Sequence, residues 1–123
     1  MSDNPSVTFN ISVNGEDKEV FMSFALLNTI TGYFRNAEEL EQILLNSDVR
    51  ASVITELLSE RNETGRITQN FDINTMKADQ DQILDLLEWV SEHVETFFMK
   101  ALQRAKQRMK KKQTTWFLPW STS

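Results

Sequence analysis

His93 is the one histidine in the chain and the side chain best able to exchange a proton near neutral pH. A general base needs a group to orient it and a reacting atom within hydrogen-bond reach. His93 stands on the long helix, one residue from Val94 and four from Trp89, and a lone helical histidine is far more often a partly buried or surface residue than a general base. With no cysteine there is no thiolate chemistry. The three glycines form neither Gly-x-x-x-x-Gly-Lys nor Gly-x-Gly-x-x-Gly, so no phosphate cradle is encoded. Asp72, Asn74, Asp79, Asp81 and Asp85 could offer oxygen ligands to a cation. An EF-hand read from Asp72 would need glycine sixth and glutamate twelfth, and finds Lys77 and Ile83 there. Asp81 and Asp85 share a helical face, but acids in a first turn answer the helix dipole without any metal. No catalytic, cofactor or metal site is expected, and the chain reads as a non-enzyme.

Chemistry of another kind lies at the C-terminal end. Residues 1–95 carry all 18 acidic side chains and six basic ones, a net charge of −12; residues 96–123 carry seven bases and no acid, a net charge of +7. The bases are Lys100, Arg104, Lys106, Arg108, Lys110, Lys111 and Lys112. Just beyond them stand Trp116, Phe117, Leu118 and Trp120, the residue types that anchor interfaces by burying large area at modest entropy cost. Lysines followed by tryptophans could also contact phosphates and stack on bases. A body at −12 opposes a broad approach by nucleic acid, so charge-complementary association with protein, including another copy, is the leading expectation. A solvated helix end decorated with dipole-favoured cations is the plain alternative. Equally open is whether the aromatic segment covers its own core or faces a partner.

One long helix must position these residues. From Asp79 to Lys112, apolar residues fall at Ile83, Leu86, Leu87, Val90, Val94, Phe97, Phe98, Ala101, Leu102 and Ala105, spaced by three, four and one as a single helical face requires. No Gly or Pro interrupts it. At 1.5 Å per residue the rod is roughly 50 Å long, whereas a compact chain of this size has a radius of gyration of about 14 Å. The basic end is therefore expected to project from the body. Pro119 and the polar close at 121–123 argue against helix in the tail 113–123.

The rest of the chain supplies the body, read as one domain over 1–112. Val7, Phe9, Ile11 and Val13 alternate with polar residues, Asn14-Gly15 marks a tight turn, and Val20 and Met22 resume the pattern, so a hairpin spans about 7–22. Ser23 is placed to cap a helix to about Phe34 with Phe24, Leu27, Ile30 and Phe34 on one face. Asn36 opens a second short helix to Leu45. Ser47-Asp48 caps a third, carrying Val49, Val53, Ile54, Leu57 and Leu58. Residues 62–78 read as a connection with a brief extended piece at Arg66-Ile67-Thr68, pinned by Phe71 and Ile73. The fold class expected is α+β: a small, mostly helical bundle under an N-terminal hairpin, with a long C-terminal helix. The N-terminus shows no signal peptide and no run of 18 apolar residues occurs, so a cytoplasmic chain, neither secreted nor membrane-spanning, is expected.

Two stretches carry a resemblance. The hairpin Phe9-Asn10-Ile11-Ser12-Val13-Asn14-Gly15, continuing through Val20-Phe21-Met22-Ser23-Phe24-Ala25-Leu26-Leu27, resembles the start of tail assembly chaperones of long-tailed (siphovirus-like) bacteriophages. Trp89-Val90-Ser91-Glu92-His93-Val94-Glu95-Thr96-Phe97-Phe98 before a basic helix end is similar to them too. The likeness covers about half the chain and rests on pattern and size. It implies a non-enzymatic assembly chaperone or adaptor that binds the tape measure protein and recruits tail tube subunits in the host cytoplasm. Homo-oligomers and a longer frameshifted form, with Lys110-Lys111-Lys112 at the slippery codons, are further implications. On this reading Lys106, Lys110, Lys111, Lys112, Trp116, Phe117, Leu118 and Trp120 form the partner-binding set. The alternative is a small nucleic-acid-binding regulator using the same residues.

Overall fold

In the computed structural model the backbone is described over residues 4–121 and side chains over residues 4–111. The architecture is α+β, mostly helical, with two small antiparallel hairpins and a long C-terminal helix. β1 (Thr8–Val13) and β2 (Glu16–Phe21) pair through a two-residue turn, with Val13 opposite Glu16 and Phe9 opposite Val20. Asn14 and Gly15 both take positive φ, 56° and 80°, as a primed turn demands and as few residues other than Asn and Gly tolerate. The register puts Ile11, Val13 and Val20 on the buried face, joined by Met22 beyond the strand end. Asn14 then binds the strand leading into the last helix, donating its N–H to Lys77 O at 2.7 Å and accepting from Lys77 N–H at 2.7 Å.

α1 (Phe24–Thr31) begins where Ser23 Oγ accepts from Leu26 N–H and ends three residues short of the expected Phe34. The N–H of Gly32 closes that end on the carbonyls of Thr29 and Ile30, and Phe34 reaches the core from the turn that follows. Leu26 and Ile30 are the buried helix residues, whereas Phe24 is 67% exposed with its ring edge-on to Phe97. Of the expected face, Ile30 and Phe34 are buried and Leu27 packs on the core; only Phe24, at the first helical position, stays outside it. Asn36 caps a 3₁₀ turn (Ala37–Glu41) rather than an α-helix, and α2 (Gln42–Leu45) follows it. The cap of α3 (Ser47–Leu58) is Asn46, one residue before the expected Ser47-Asp48, because its side-chain oxygen reaches both Asp48 and Val49 N–H.

The connection after α3 holds more order than expected. Ile67–Gln69 (β4) pairs antiparallel with Glu60–Arg61 (β3), across a turn in which Asn62 Oδ1 accepts from Thr64 and Arg66 N–H. Arg61 fixes this second hairpin to α3. Its guanidinium donates to Glu56 Oε1 at 2.7 Å, Glu56 O at 3.0 Å and Gly65 O at 2.9 Å, while its buried Nε finds no acceptor among the described residues. The other oxygen of Glu56 accepts from the Tyr33 hydroxyl at 3.2 Å, which ties α3 to the end of α1.

Burial, then the Glu56 carboxylate and its hydrogen bond, raise the Tyr33 phenol above its usual 10.0. The folded chain holds that proton more tightly than the unfolded chain, so the resulting stability is present below pH 10.0 and lost as pH climbs through the folded value. Because Tyr33 is the only tyrosine, phenolate absorbance reports it alone. A midpoint above 10.0 that falls back in Glu56→Gln is expected; a midpoint at or below 10.0 contradicts the contact.

α4 (Gln80–Ser121) opens with Asp79 accepting from Gln82 N–H and runs 42 residues, roughly 63 Å. It passes the expected end at Lys112 and continues through Pro119, correcting the expectation of a non-helical tail: a nucleated helix gains a hydrogen bond with each added residue, and Pro119, two residues from the end, forfeits only one. Leu86, Leu87, Val90 and Val94 are completely buried against α1, α2, the 3₁₀ turn and β1, and with Ile30, Ile43 and Val53 they form the centre of the core. Phe71 and Ile73 pack on its edge, as expected for the connection.

Candidate functional site

The first half of α4 holds the N-terminal strand as well as the core. Trp89 Nε1 donates to Ser6 O at 2.7 Å, and His93 Nε2, one turn later, lies 2.7 Å from the same oxygen. A carbonyl can only accept, so this contact assigns the proton to Nε2. The two rings meet edge-on at 4.9 Å, and Phe9 packs on Trp89 at 5.5 Å. Two turns further, Lys100 Nζ donates to Asn4 Oδ1 at 2.6 Å. The histidine that invited a catalytic reading therefore holds chain to chain. Asp72 and Asp79 are likewise engaged as caps, on Asn74 and Gln82 N–H, and no cluster of three metal-ligating side chains occurs among the described residues.

Past Val94 the helix leaves its cover. Phe97 and Phe98 are half-buried, and every residue from Met99 to Lys111 is exposed. The apolar face does not stop there. Ala101, Leu102 and Ala105 extend the stripe expected from the sequence, and Met109 prolongs it by one turn. Met109 was overlooked because the basic residues around it dominate that stretch, although its spacing from Ala105 continues the stripe. Beside it, Arg35, Asn36 and Ala37 at the start of the 3₁₀ turn form the opposite wall of an open groove of about 370 Å³, floored by Phe98, Ala101, Leu102 and Ala105.

Of the residues expected to bind a partner, Lys106, Lys110 and Lys111 lie exposed on this projecting half of α4. The side chains of Lys112, Trp116, Phe117, Leu118 and Trp120 lie outside the described residues, and with them the choice between a docked and a free aromatic tail. Arg35 and Ala37 were not anticipated. No spacing rule links them to α4, and only the packing of the 3₁₀ turn brings them to the groove. Among the described residues no helix is long and apolar enough to cross a membrane. The chain matches no protein-family model, no curated protein and no solved structure.

Proposed function

We propose that this protein is a non-enzymatic assembly adaptor whose projecting α4 captures a helical segment of a client protein. The observation that carries this is the continuation of the apolar face past the core: Ala101, Leu102, Ala105 and Met109, beyond the half-buried Phe98, lie exposed on the basic half of α4. An apolar groove with Arg35 on its wall, on a helix whose exposed half also carries Arg104, Lys106 and Arg108, suits an amphipathic helix flanked by acids. The resemblance to phage tail assembly chaperones gives the reading its specific form. The client is then the tape measure protein, the recruited partner the tail tube subunit, and the compartment the host cytoplasm.

The test is co-expression with a tape measure protein and tail tube subunit encoded beside this chain. Soluble co-purification is expected, and Leu102→Asp should weaken capture at least tenfold, since a carboxylate cannot enter an apolar floor (roughly 2 kcal/mol or more). Capture unchanged in Leu102→Asp, or none by the parent chain, overturns the reading. A shift of duplex DNA at about 50 mM salt, where phosphate contacts are strong, would favour the nucleic-acid regulator instead.

A further inference from the structure

The side of α4 turned away from the core carries a second pattern. Asp81, Asp85, Glu88, Glu92, Glu95, Met99, Leu102, Lys106 and Met109 recur at spacings of four and three, and all are exposed. At 3.6 residues per turn this stripe lies roughly half a turn from Leu86, Val90 and Val94 and about a quarter turn from Ala101 and Ala105 on the groove floor. It is acidic in the first half and apolar and basic in the second. Glu88, Glu92, Glu95 and Lys106 make no ion pair within the described chain. The N-terminal strap through Ser6 and Asn4 leaves this face open, because it lies along the Trp89, His93 and Lys100 side.

We infer that two copies of this chain pair through α4, antiparallel, about a two-fold axis between Met99 and Leu102. In that register Met99 meets Leu102 of the second copy, Glu95 meets Lys106 of the second copy, and Glu92 comes level with its Met109. The spacing of threes and fours then places Glu92, Glu95, Met99, Leu102, Lys106 and Met109 each opposite one of the same six on the other helix, as interdigitating antiparallel helices require. Symmetry repeats every contact, so the Glu95–Lys106 pair and the Met99–Leu102 contact each form twice. Met99 and Leu102, each 55% exposed, supply the apolar contact. A parallel pair would set acid against acid and base against base, so charge selects the antiparallel arrangement. The pairing shares Leu102, Lys106 and Met109 with the face proposed for client capture, so client and second copy compete for α4, and the pairing is measured with no client present.

Glu95 and Lys106 stand eleven residues apart on one rod, about 16 Å along its axis, so neither can reach the other within a chain. Any coupling between them must pass between copies. Sedimentation equilibrium of the full chain at low ionic strength should give a mass rising with concentration toward twice 14.3 kDa. Glu95→Lys and Lys106→Glu alone should each weaken the dimer about tenfold, since each turns two attractive contacts into repulsive ones. The chain carrying both changes should recover to within about threefold of the parent. Circular dichroism of each variant, expected unchanged at these exposed positions, separates misfolding from lost pairing. A monomer at every concentration, or a dimer indifferent to the single changes or not restored by the pair, overturns the proposal.

Discussion

Leu87→Ala is expected to lower the unfolding free energy by about 2–5 kcal/mol, the range for emptying a fully enclosed leucine site. Leu87 has no exposure and lies at the centre of the core with Leu86 and Val90. The loss has two parts: the transfer of the removed carbons, and the void left where rigid neighbours cannot collapse. Both are severe at Leu87 because four other elements converge on that part of α4. Leu102→Ala, on the same helix, should change stability by no more than about 0.5 kcal/mol, since Leu102 is 55% exposed and has little to lose. Urea unfolding of both variants gives the comparison. A Leu87 cost below about 1 kcal/mol, or equal costs at both sites, would contradict the division of α4 into a core half and a projecting half.

Trp89→Ala should cost about 3–5 kcal/mol, as for other large aromatic truncations. The indole buries its rings against Phe9 and His93 and donates to Ser6 O, so its removal frees β1 from α4 as well as opening a void. Trp89→Phe keeps an aromatic ring and removes the N–H donor, and its cost should be nearer 1 kcal/mol. His93 still serves the Ser6 carbonyl in that variant, which keeps the penalty low. Hydrogen exchange distinguishes the two substitutions. Amides of β1 should lose protection in Trp89→Ala well before those of α3, whereas Trp89→Phe should leave the order unchanged. Equal loss across both elements in Trp89→Ala would mean that the tryptophan supports the whole core evenly and does not act as a strap.

The same strap shows why chemistry was hard to read from residue types. His93 and Trp89 stand four apart, a spacing that fits catalysis, core packing or a surface pair equally well. Their shared acceptor, Ser6, lies more than eighty positions upstream. Arg61 is similar. Its partners Glu56 and Gly65 are near in sequence, yet only the pairing of β3 with β4 closes the guanidinium between them. A two-residue strand has no periodicity of its own, so nothing in Glu60-Arg61 announces it.

What the sequence determined by itself was local and periodic. The Asn-Gly turn and the alternation around it set the hairpin register, because side chains switch face with every residue and a slip would turn Ile11 and Val13 outward. The three-and-four spacing set the long helix, and the separation of acids from bases set its polarity. Tertiary structure decided where that helix stops being covered. The spacing of Leu86-Leu87-Val90 is that of Ala101-Leu102-Ala105; the first is buried because α1, α2, the 3₁₀ turn and β1 converge on it, and the second is bare because those elements end. An apolar stripe encodes the need for a partner, and only the packed fold shows whether its own chain supplies one.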